Sequence, residues 1–149
     1  MHHIGLKISY WDLQKRRGNM DDKTLQELLA AQQGELDAVY LYNQLSKKVK
    51  LQKDKDVFKQ LAREEGGHAQ VFHKLTNVIL KPKKTLGNLV SILRPFVTRK
   101  FLYKTIANSE YGASKNYEKF LAEFPEIESV KNDESRHGDI VLALLNNTK

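Results

Sequence analysis

Apolar residues recur along this chain at alternating steps of three and four, the spacing of a helix face turned towards a bundle core. Four such seams stand out. The first reads Leu25, Leu28, Gln32, Glu35, Val39, Tyr42, Ser46. It begins near Asp21 or Asp22, either of which can cap the open N–H groups of a first turn. The second reads Phe58, Leu61, Glu65, His68, Phe72, Leu75, Ile79 and is expected to start near Asp54 or Asp56. The third reads Phe96, Arg99, Tyr103, Ile106, Glu110, Ala113, Tyr117, Phe120, Phe124, with Pro95 at its first turn. The fourth reads Ile127, Val130, Glu134, His137, Val141, Leu144, after the break at Pro125. Strand-like alternation is scarce. The pattern predicts an all-α protein, a four-helix bundle whose short links pair the first helix with the second and the third with the fourth.

Two stretches lie outside these seams. Residues 1–20 form a basic N-terminal arm with Tyr10, Trp11, Lys15, Arg16 and Arg17, expected to pack on the bundle or on a partner in preference to a membrane. Residues 80–95 form the long crossover between helices two and three, with Pro82 stopping the second helix and Leu86 to Leu93 read as a short helix. Levelling the two hairpins requires a span of about 37 Å, and the crossover with its short helix reaches about 38 Å. Such a taut connection leaves a dimer with swapped hairpins as an alternative to a closed chain.

The polar residues at the seam centres change the picture. Glu65-Gly66-Gly67-His68 and Glu134-Ser135-Arg136-His137 share a Glu-x-x-His spacing that puts both side chains on one helix face. Each follows a helix with a single inward carboxylate, Glu35 or Glu110, by 30 and 24 residues. The halves match further, as Glu35-x-x-Ala38-x-x-x-Tyr42 and Glu110-x-x-Ala113-x-x-x-Tyr117. Two hairpins related by a pseudo-twofold axis follow.

A buried carboxylate without a partner costs several kcal/mol (roughly), so these seams need cations or protons. Four Glu and two neutral His balance two divalent ions. Oxygen-rich ligation with one imidazole per ion suits iron or manganese better than a structural zinc, and other divalent ions can substitute. Glu65 and Glu134 are placed to bridge, with Glu35 and Glu110 terminal and one His on each ion. Ala38 and Ala113 leave room for dioxygen or peroxide. Asp133 and Glu64 are positioned to orient a His across the bundle, with Arg136 balancing Asp133. Tyr42 and Tyr117 tilt back towards the Glu one heptad earlier, as core aromatics with satisfied hydroxyls or as donors to the carboxylates. Gly66 and Gly67 weaken a helix interior by about 1 kcal/mol each, which points to a close neighbouring helix or access to the site. The competing reading is a metal-free layer of mutually paired carboxylates and imidazoles. His2, His3 and His73 receive no role.

Composition narrows the rest. The 149 residues suffice for one core, and the absence of Cys excludes disulfides and thiolate metal sites. No apolar run approaches a membrane span, and the first residues lack the apolar core of a signal peptide, so the expected compartment is the cytoplasm. The net charge of +7 and pI near 9.5 raise nucleic acid and anionic lipid as partners. Nucleic acid is disfavoured because the Lys residues are spread over polar helix faces and the crossover.

The Glu…Glu-x-x-His…Glu…Glu-x-x-His arrangement resembles the ferritin-like di-iron carboxylate proteins, and within them the rubrerythrin group, including the iron-binding domains attached to some iron transporters. The resemblance covers about residues 21–147 of a bundle unit taken as 21–149. It implies a ferritin-like four-helix bundle with Glu35, Glu65, His68, Glu110, Glu134 and His137 as di-iron ligands and catalytic residues. It also implies a non-haem di-iron oxidoreductase that reduces hydrogen peroxide or oxidises ferrous iron with dioxygen, and a homodimer. Two departures matter. Typical rubrerythrins carry a four-Cys iron centre that this chain lacks, so electrons come from an external donor. They also carry an extra Glu one turn after the helix-three ligand, where this chain has Ala113. The alternative is a non-catalytic iron-binding module for storage, sensing or delivery. A third reading is an oxygenase that uses the basic 81–104 stretch to find a membrane, since the Asp-Glu-x-Arg-His string at 133–137 also occurs in di-iron oxygenases.

Overall fold

Asp21 caps the first long helix by accepting the Thr24 N–H at 2.7 Å, and from that point the chain builds the bundle the seams require. The computed structural model describes residues 9–146. His2 and His3, the first eight residues of the N-terminal arm and the last three of the chain lie outside the described residues. Six α-helices follow in order: α1 (Tyr10–Asn19), α2 (Asp22–Lys48), α3 (Gln52–Thr76), α4 (Thr85–Leu93), α5 (Arg99–Tyr117) and α6 (Ile127–Ala143). Among the described residues there is no strand, and no helix is long and apolar enough to cross a membrane. Helices α2, α3, α5 and α6 are the four bundle helices. The fold is an all-α four-helix bundle, with α2 paired to α3, α5 to α6, and the crossover between α3 and α5.

Two apolar cores flank a polar middle. One gathers Tyr42, Leu45, Phe58, Leu61, Leu102, Ile106 and Val141; the other gathers Leu28, Phe72, Leu75, Phe120, Phe124 and Ile127. The end of α2 thus meets the start of α5, so these two run antiparallel. Helix α1 closes the second core with Leu13, while Arg16 pairs with Glu126 at 3.1 Å and donates to the Glu123 carbonyl at 3.1 Å.

Two expectations are corrected at helix ends. The second bundle helix stops at Thr76, not near Pro82, because Asn77 turns into the left-handed region at φ 57°. Ile79 therefore leaves the seam and is 85% exposed. The third bundle helix starts at Arg99 behind the Thr98 cap, after a 3-10 turn that holds Pro95 and leaves Phe96 83% exposed. The crossover thus spans Asn77 to Thr98, longer than 80–95 and correspondingly less taut. Helix α3 starts at Gln52, near Asp54 as expected. Asp54 itself lies buried on the seam one turn before Phe58. Its carboxylate accepts two bonds of 2.9 Å from Arg99 and one of 2.5 Å from the Tyr103 hydroxyl. Arg99 also donates to the Leu144 carbonyl at 2.6 Å. The start of α3, the start of α5 and the end of α6 are tied together there.

The crossover is bolted to α2. Gln33 reaches the Lys81 carbonyl at 2.9 Å, the Lys83 N–H donates to Asp37 at 2.6 Å, and Tyr40 donates to Asn88 at 2.7 Å. Gly87 lies directly on the Tyr40 ring, where an added Cβ would come within 2.5 Å of a ring carbon.

Candidate metal centre

Between the two cores, six buried polar side chains converge from the four bundle helices: Glu35 from α2, Glu65 and His68 from α3, Glu110 from α5, and Glu134 and His137 from α6. Every residue singled out by the seam centres is in this layer. The His68 Nδ1 lies 2.8 Å from Glu134 and 3.5 Å from both Glu35 and Glu65. The His137 Nδ1 lies 2.8 Å from Glu65 and 3.7 Å from Glu110. Glu65 thus touches both imidazoles, while Glu35 sits on the His68 side and Glu110 on the His137 side. The two rings stack at 5.3 Å between centroids. Glu65, His68, Glu134 and His137 each offer one ligand atom within 4.8 Å of the others.

Outside this layer a second set of carboxylates holds the far side of each ring. The His68 Nε2 faces Asp133 at 3.3 Å and the His137 Nε2 faces Glu64 at 2.7 Å. Both contacts cross between hairpins. Arg136 donates to Asp133 at 2.9 Å and to Glu64 at 2.7 Å, so one guanidinium balances both carboxylates. In the neutral ring that a metal ion requires, an Nε2–H donated outward leaves the Nδ1 lone pair turned inward. Tyr117 donates its hydroxyl to Glu35, and Tyr42 donates to Glu110. The tyrosines do tilt back towards the polar layer, but each bonds the Glu of the other hairpin. The antiparallel course of α2 and α5 brings those carboxylates within reach.

Burial and the mutual charges set the protonation of the layer. Burial pushes Glu35 up to about 8 and Glu134 up to about 10, so these carboxyls hold protons at neutral pH. Glu65 is equally buried, yet the hydrogen bond with His137 and the nearby His68 ring overcome the burial and hold it at about 2. Burial opposes charge on the rings too, but the surrounding carboxylates raise His68 to about 12 and His137 to about 10. Burial pushes the Tyr117 hydroxyl far up, with Glu35 adding to it, so it stays a donor. Without a cation the layer neutralises itself with imidazolium ions and retained protons.

Three of its atoms still have no hydrogen-bond partner: Glu65 Oε2, His68 Nδ1 and Glu134 Oε1. The last two lie 2.8 Å apart without the alignment of a hydrogen bond. Buried polar atoms left this way are uncommon and costly. A cation accepts lone pairs from any direction, so it satisfies all three at once. The donor set, carboxylate oxygens with imidazole nitrogens and no thiolate, fits a hard or borderline divalent ion.

The small residues behave unequally. Ala113 lines a groove of about 380 Å³ with Ala30, Ala31, Gly34, Tyr117 and Phe120, on the side where Tyr117 reaches Glu35. Ala38 packs against the first core. The close approach expected at Gly66 and Gly67 is absent: a Cβ on Gly67 would meet nothing within 4 Å, and one on Gly66 would meet only Val39 at 4.0 Å. Close approach is found instead at Gly138, beside His137, where a Cβ would come within 2.6 Å of the Tyr111 ring. His73 faces the Val78 carbonyl at 3.0 Å, away from the layer. The Asp54, Arg99 and Tyr103 cluster was not foreseen as a unit. Its signal was an Asp exactly one helical turn before the seam residue Phe58, opposite an Arg on another seam.

A family model described as Rubrerythrin matches residues 27–145, which include every residue of the layer and of its outer carboxylates. No curated protein and no solved structure matches the chain significantly.

Proposed function

We propose that this chain, which belongs to the rubrerythrin family, is a non-haem di-iron oxidoreductase that reduces hydrogen peroxide or oxidises ferrous iron with dioxygen, with electrons from an external donor. The observation that carries this reading is the buried six-residue layer with unpartnered donor atoms aimed into it. Glu35, Glu65, His68, Glu110, Glu134 and His137 would hold two iron ions, with manganese fitting the same donors. Bound iron would supply the redox change that the side chains cannot.

The chain's own residues do the rest. Asp133 and Glu64 fix the His68 and His137 rings and make the inward nitrogens better donors. The Tyr117 and Tyr42 hydroxyls steady Glu35 and Glu110 and can pass a proton at their oxygens. The two apolar cores exclude bulk water, and the groove lined by Ala113 and Tyr117 lies beside the tyrosine that bonds Glu35.

The test is metal stoichiometry after anaerobic ferrous loading, for the native chain and Glu65→Ala, followed by exposure to peroxide or dioxygen. Two tightly held ions per chain, with at least one lost in the variant, establish the dinuclear site. Rapid oxidation of the loaded chain, with repeated turnover when a donor is present, supports the enzyme. Loading without useful oxidation, and iron release to a partner, favours the storage or delivery reading. That reading draws on the lack of Cys for a second redox centre in these 149 residues. No bound metal would remove both.

A further inference from the structure

Helix α4 is apolar on the side that should face water. Its inner side, Gly87 and Val90, lies on α2 and the first core. Its outer side presents Leu86, Leu89, Ile92 and Leu93, and Phe96 continues the stripe in the next turn. Ile92 is 67% exposed. No residue of the helix is charged. A surface helix ordinarily turns polar residues outward, and a contiguous exposed apolar stripe marks a binding face.

The charge around it is one-sided. Between Glu65 and Glu110 the chain carries eight of its 25 Lys and Arg residues and none of its 18 Asp and Glu residues, so the remaining chain is close to neutral. Lys81, Lys83 and Lys84 stand exposed just before α4. None of the ion pairs found among the described residues uses them. The nearby Asp37 carboxylate is occupied by the Lys83 N–H and Gln33.

We propose that α4 and its flanking lysines dock this protein on the surface of an anionic phospholipid bilayer. The outer stripe enters the boundary between headgroups and acyl chains, and the lysines meet lipid phosphates and carboxylates. Nine residues cannot span the bilayer, so the attachment is peripheral. A second copy of this chain is the poorer occupant, since a twofold contact sets one acid-free basic flank against another. Nucleic acid would use the charge but gain little from exposed Leu and Ile side chains. An anionic bilayer uses both features. This docking does not depend on what the polar layer binds.

The experiment is co-sedimentation of the full chain with phosphatidylcholine vesicles, with and without phosphatidylserine, at low and physiological salt. Two variants accompany it: Ile92→Ser with Phe96→Ser, and Lys81→Gln with Lys83→Gln and Lys84→Gln. All five positions are exposed, and helicity with thermal melting checks that the fold is kept. Each lysine near an anionic surface contributes about a fivefold gain in partitioning. The expected result is binding to the anionic vesicles only, weakened by salt, and reduced at least about tenfold in each variant. Absence of binding to anionic vesicles overturns the proposal, as does binding that either variant leaves unchanged. Self-association, or nucleic-acid binding, that Ile92→Ser with Phe96→Ser abolishes while vesicles remain unbound also overturns it, and reassigns the face.

Discussion

Tyr117 and Glu35 are both buried, and the hydroxyl of one is the satisfied partner of the other. Tyr117→Phe keeps the ring in its core but strips the carboxyl of its donor. Chemical denaturation of the metal-free variant should show a loss of about 1–3 kcal/mol. The layer also predicts a pH dependence. Glu35, Glu134, His68 and His137 all have folded-state values raised above their unfolded ones, so the folded state holds more protons. Stability from such groups is complete below the unfolded values and is lost as pH rises through the folded ones. Thermal melts of the metal-free chain should therefore fall as pH climbs from about 5 towards 8, with Glu35 first to deprotonate. Glu65 and Glu64, both held low, act in the opposite sense and only in the acid range. The six seam-centre residues and Glu64, Asp133 and Arg136 were legible because a helical period places them. The identity of each tyrosine's partner was not, since spacing along one helix does not say which helix lies beside it.

At the scale of elements, the seams located the four long helices but not all of their ends. Asn77 ends α3 by a backbone conformation, and a lone Asn carries that signal weakly beside the louder Pro82. Asp54 marks the start of α3 in the sequence, but its pairing does not show there, because Arg99 and Tyr103 come from another helix. Asp54→Ala leaves the Tyr103 hydroxyl buried without its acceptor and the partly exposed Arg99 with only the Leu144 carbonyl, and should cost about 2–3 kcal/mol by urea melt. Gly67→Ala should do the reverse. Its Cβ meets nothing, so the helix gains about 0.5–1 kcal/mol in the same measurement. Gly87→Ala drives a methyl into the Tyr40 ring. Hydrogen exchange should quicken across α4 while the bundle amides keep their protection.

Over the whole molecule, the repeat gave away the architecture. Two Glu-x-x-His hairpins, each after a lone Glu, require a pseudo-twofold bundle with one polar layer, and the four buried helices provide it. What no periodicity reveals is how a crossover is fastened, because Gln33, Asp37 and Tyr40 are ordinary solvent-side residues until the returning chain meets them. If the layer holds metal, ligand present at about 100 times its dissociation constant should stabilise the fold by about 2.7 kcal/mol, read as a rise in melting temperature that a chelator reverses.

The halves are alike but not equal. Arg136 on α6 stands where the other Glu-x-x-His copy has Gly67, so a single guanidinium serves the outer carboxylates of both. His137 is gripped at 2.7 Å by Glu64, and His68 only at 3.3 Å by the shorter Asp133. With one arginine over two outer carboxylates, the symmetry of the halves is broken. A centre built on these residues should then fill as two distinguishable compartments, with the His137 side the tighter, giving a biphasic rather than a single titration curve.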